Sequence, residues 1–138
     1  MAMWDADLTT RMGAQTAART GAIAAFVFAG LGLLGAVLAA AFAMRTNPPL
    51  AIGTIIGGLL EALVGVVAGF RLRSGKGMVW GGVTAALATL ELIGKVVSLQ
   101  FGGLLIGGVV LVYLVNGVRG AAALRRGPFA DDDAETFA

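Results

Sequence analysis

The chain has 138 residues, 58% apolar and only 13% charged, with a formal net charge of +2. An ordinary soluble domain, at about 45–50% apolar and about 25% charged, is excluded. Cysteine and histidine are both absent. That removes disulfides, thiol chemistry, the usual zinc sites, Ser-His-Asp triads and imidazole proton switches. The expectation is a protein that is not an enzyme, with no catalytic residue, metal site or cofactor. The small net charge, with no basic patch interleaved with aromatics, gives no reason to expect nucleic acid as a partner.

Residues 1–20 begin "MAMWDADLTTRMG", with acids where a signal peptide would carry bases and no short apolar run with a cleavage site. They read as a cytoplasmic segment, its later part free to extend the first helix or lie on the membrane. Four apolar blocks follow, at 21–44, 49–70, 78–99 and 101–118. A helix needs about 20 residues to cross a hydrocarbon core of about 30 Å. Backbone polar groups in lipid are satisfied only in helices or closed barrels, and no block shows a period of two. The expected fold is therefore all-α: an integral membrane protein built as an antiparallel bundle of four transmembrane helices. "RTNPP" (Arg45–Pro49) and "RLRSGKG" (Arg71–Gly77) separate the first three spans, and Ser98 and Gln100 mark the turn before the fourth. Such short connections make successive helices antiparallel neighbours. Residues 119–138 form a cytoplasmic tail, basic and then acidic.

Eight of the ten basic residues fall at one end of such a bundle: Arg11, Arg19, Arg71, Arg73, Lys76, Arg119, Arg125 and Arg126. The other end has Arg45, with Lys95 near a helix end. The bias toward positive cytoplasmic loops predicts a cell (inner) membrane protein with both termini in the cytoplasm.

Within the second block, "GTIIGGLLEALVGVVAG" places Gly53, Gly57, Glu61, Gly65 and Gly69 at intervals of four. Glycines at this spacing let helix backbones approach closely. They are expected to form a packing face, joined by Gly103 and Gly107 on the fourth helix and by Gly32, Ala36 and Ala40 on the first. Glu61 sits in the middle rung. An ionised acid at a helix centre costs about 2.5–3.5 kcal/mol, so it should lie in a helix interface with a polar partner. Thr84, Glu91 and Lys95 share a face of the third helix, and Glu91 precedes Lys95 by four, the favourable order for an ion pair. At about 1.5 Å per residue, Glu61 and Glu91 lie about 14 and 20 Å from the cytoplasmic end, near enough in depth to share a proton or a water.

Two readings follow. In the first, the polar residues hold helices together, and the protein is an accessory or assembly subunit that packs against itself or other membrane subunits. In the second, Glu61 and Glu91 form the proton or cation site of a small oligomeric transporter or channel. Binding of a lipid, quinone or pigment between the helices is a further alternative. In helix number, glycine content and membrane acid the build resembles the small multidrug transporters. It departs from them where they carry their essential acid, in the first helix, since Gly21–Met44 has none.

Overall fold

A computed structural model describes residues 6–127 and 129. They form four α-helices: α1 (Arg11–Ala43), α2 (Pro48–Arg73), α3 (Met78–Val97) and α4 (Gly102–Arg126). There is no strand among the described residues. All four helices are long and apolar enough to cross a membrane. The expected spans are all present, and the outer two are longer than hydropathy suggests. α1 starts at Arg11 rather than Gly21, and α4 runs to Arg126 rather than Val118. Polar residues at these ends lower the hydropathy without breaking the helix.

Each start and stop has a local cause. The Thr10 side chain accepts from the Gly13 N–H at 3.0 Å and caps α1. Asn47 accepts from the Leu50 N–H, and Pro48 and Pro49 occupy the first positions of α2, where a missing N–H costs nothing. α2 and α3 end in the same motif. The N–H of Lys76 donates to Arg71 O and that of Gly75 to Leu72 O, while Gln100 donates to Lys95 O and Leu99 to Val96 O. This closure needs a left-handed residue at its hinge. Gly75 supplies it at φ +74°, whereas at the end of α3 a leucine, Leu99, is held at φ +54°.

The helices stand in a ring, each beside its sequence neighbours, with α1 also closed against α4 and little contact across the diagonals. The start of α1, the end of α4 and the α2–α3 turn therefore lie at one end of the bundle, here the terminal end. Burial is concentrated there. Ala14, Ala17, Ala18, Gly21, Ala22 and Ala25 of α1 meet Gly117, Gly120 and Ala121 of α4 and Ala68 and Leu72 of α2. The closest approach joins α1 and α4. A Cβ built on Gly21 would lie 2.4 Å from the Gly117 Cα. A Cβ on Gly120 would lie 2.6 Å from Ala14 O. At the opposite end two hairpins persist. α1 and α2 stay in contact through Ala36 against Gly58, while α3 and α4 stay in contact through Leu92 against Gly107. Large apolar side chains there face outward, among them Leu34, Phe42, Leu90, Phe101 and Leu105. In a bilayer, acyl chains cover such a surface.

Candidate functional site

The chemistry-bearing residues inside the bundle are Glu61, Glu91 and Lys95, and the fold brings them together. Glu61 lies midway along α2. Its Oε1 is shut off from solvent with no hydrogen-bond partner among the described residues. A Cβ on Gly32 of α1 would lie 3.0 Å from that oxygen, so glycine is what leaves room for the carboxylate. Across the α2–α3 interface Glu61 faces Glu91, close enough for the carboxyl groups to share a hydrogen bond when one holds a proton, with Lys95 near enough to bear on its charge.

Glu91 and Lys95 form an ion pair one turn apart on α3, Nζ to Oε1 at 2.5 Å. It is only partly sheltered, the lysine side chain being 27% and the glutamate 38% exposed. The lysine stem lies over Gly103 of α4, whose Cβ would come within 3.2 Å of its Cδ and Cε. Glycines thus flank the cluster on both sides, Gly32 beneath the free acid and Gly103 beneath the lysine. Two carboxylates and one ammonium leave an excess of one negative charge when all are ionised. One proton or one monovalent cation balances it. No group of three or more His, Cys, Asp or Glu among the described residues could hold a metal ion.

Thr84 is not part of this cluster. It is fully buried, two turns toward the terminal end, and its hydroxyl donates to the Trp80 carbonyl of its own helix at 2.9 Å. Asn116, buried on α4, accepts from Arg119 Nη1 at 3.5 Å.

The predicted glycine face divides. Gly65 meets Ala25 and Ala29, Gly69 meets the Phe26 ring, Gly103 meets Lys95 and Gly107 meets Leu92. Gly53 and Gly57 meet nothing within 4 Å and lie exposed. The reason is angular. A step of four residues turns a helix by about 40° beyond a full circle, so a ladder of four steps winds through about 160°. One neighbouring helix cannot cover that arc. The seam that α2 does bury is Ala51, Gly58, Gly65 and Leu72, a step of seven that drifts only about 20° each time. That recurrence was legible in the sequence and is the signal for Gly58. For the Gly21–Gly117 crossing no comparable spacing exists, because it joins two helices distant in the chain. No family model, curated protein or solved structure matches the chain, so its function has to be argued from Glu61, Glu91 and Lys95 and from the faces the helices leave uncovered.

Proposed function

We propose that the protein is a small multi-span membrane subunit that works through helix packing, as an accessory or assembly element of a homo-oligomeric or larger membrane complex. Its termini lie in the cytoplasm, a placement supported by the eight basic residues at the terminal end. The observation that carries the reading is the uncovered strip of α2. Leu50 and Leu60, 58% and 59% exposed, flank Gly53 and Gly57, where a built Cβ meets no described residue within 4 Å. Association in lipid depends on close van der Waals packing, and glycines on an outward face allow it. The test is mass measurement in mild detergent, with Gly57→Leu as the variant, since a Cβ built on Gly57 meets no described residue within 4 Å. An oligomer or retained partner that Gly57→Leu disperses is expected. A monodisperse monomer with nothing bound refutes the reading.

The unpartnered Oε1 of Glu61, beside a carboxylate already paired with lysine, favours a second reading, a small proton- or cation-coupled carrier or channel. An ionised Glu61 calls for a cation beside it. Intramembrane acids of this kind mark proton and ion pathways in membrane proteins. Proteoliposome flux decides. Glu61→Gln keeps the shape and removes the proton-carrying oxygen, so coupled flux should stop. Flux identical to the parent excludes Glu61 as the site.

A further inference from the structure

The terminal end holds a second concentration of charge, remote from the acids. Between the helix ends lies a cavity of about 680 Å³ lined by five cations, Arg11 and Arg19 of α1, Arg73 and Lys76 at the α2–α3 turn, and Arg125 of α4. None of the three acids among the described residues lines it. Arg11 also lies over the Phe129 ring, 5.5 Å from its centroid. Arg19, Arg73, Lys76 and Arg125 are exposed and make no ion pair with any described residue. Among the described residues, three separate elements thus place like charges around one volume, an arrangement that a bound anion stabilises.

We propose that this cavity is a binding site for a phosphoryl group, and that the occupant is the headgroup of an anionic phospholipid. Side chains supply the charged donors for such a ligand. At the turn the N–H groups of Ser74, Gly75 and Lys76 are committed, since Ser74 donates to Phe70 O, Gly75 to Leu72 O and Lys76 to Arg71 O, and the Ser74 hydroxyl donates to Arg71 O. Recognition is therefore by clustered positive charge and guanidinium forks, which suit phosphate oxygens. One wall is apolar, with Ala18 and Ala121 at the floor and Met78 and Val79 on α3. Val79 is 64% exposed. A ligand with a charged head and a greasy body fits both parts. Basic pockets between helices on the cytoplasmic side are a general form of site for anionic lipid headgroups. The proposal shares with the proposed function only the cytoplasmic placement of the terminal end, and it does not use Gly57 or Glu61, on which the assembly and transport tests turn.

The test uses the full chain, so competition from the acidic run at Asp131, Asp132 and Asp133 is included in the measured affinity. Native mass spectrometry would compare retention of phosphatidylglycerol and phosphatidylcholine by the parent, by Arg73→Gln/Lys76→Gln/Arg125→Gln, and by Arg45→Gln at the opposite end as control. Preferential retention of phosphatidylglycerol is expected. It should weaken by roughly fivefold for each cation removed, on the order of a hundredfold in the triple variant, and stay unchanged in Arg45→Gln. Helical circular dichroism identifies a variant that fails to fold, and single Lys76→Gln then carries the comparison. A second arm titrates pyrophosphate into lipid-free protein in detergent. Binding of pyrophosphate but not of phosphatidylglycerol, with the same dependence on the cations, keeps the phosphoryl site and overturns the lipid as its occupant. Equal retention of the two lipids together with no pyrophosphate binding, or a triple variant that binds as the parent does, overturns the site.

Discussion

Substitution of Gly21 by alanine tests the packing of the whole terminal end. The added Cβ would lie 2.4 Å from the Gly117 Cα, where ordinary contact begins at 3.4 Å. Neither atom belongs to a flexible side chain, so α1 and α4 must separate by about 1 Å. That movement loosens the neighbouring contacts of Ala14, Ala17 and Ala18 with Gly120. Overpacking of this kind costs about 1–3 kcal/mol, against a gain of up to about 1 kcal/mol from replacing a helical glycine. The net expectation is a loss of about 1–2 kcal/mol, read as an earlier midpoint in an SDS titration followed by circular dichroism. Gly117→Ala should cost about the same. The double variant should cost less than the sum, because both substitutions press on one contact. Gly53→Ala is the control and should be neutral or slightly stabilising, since nothing lies within 4 Å. Equal midpoints for Gly21→Ala and Gly53→Ala, or full additivity in the double variant, would refute the crossing.

Lys95→Met leaves Glu91 and Glu61 without a cation, and should destabilise by on the order of 1–3 kcal/mol, below the figure for a fully buried pair because this one is partly exposed; thermal unfolding in detergent measures it, and restoration by Lys95→Arg separates charge from packing. Leu99→Gly relieves a left-handed leucine that is 70% exposed, and should stabilise by about 0.5–1 kcal/mol, whereas Gly75→Ala at the matching hinge should destabilise. Asp7, ahead of α1, accepts from the Thr9 hydroxyl and then from the Thr9 N–H, and these bonds hold its carboxyl below the ordinary value of 3.8. A lowered folded value means that the contribution is present above 3.8 and is lost as pH falls through the lower folded value. The protection factor of the Thr9 amide, its exchange relative to the intrinsic rate at each pH, should therefore fall on acidification through that range, and Asp7→Asn should abolish the step.

Much of the fold was legible in the residues. Hydropathy located four spans because apolar blocks of that length have few other uses. The order of Glu91 before Lys95 announced their pairing, since it needs only one helix. Hydropathy misjudged the outer helices because Arg11, Arg19, Arg119 and Arg125 lower the score without ending a helix. The company of Glu61 was only half legible. Depth along the chain brought it within about 6 Å of Glu91, but Gly32 as the residue that makes its place depends on how α1 and α2 are rotated. That rotation is decided by small residues at steps of seven, among many other glycines that pack against nothing.

The pairing of helices into hairpins also bears on how the chain enters a membrane. Lys95 neutralises Glu91 within a single helix, so the second hairpin can carry its charges across already matched. The first hairpin has no such provision. The nearest basic residue to Glu61 along α2 is Arg71, about 15 Å away. With the hairpins inserted in chain order, Glu61 would cross with no basic partner nearby on its own helix and would meet Glu91 and Lys95 only once the second hairpin is in place. Insertion in that order would make the contact that joins the two halves the last polar contact to form.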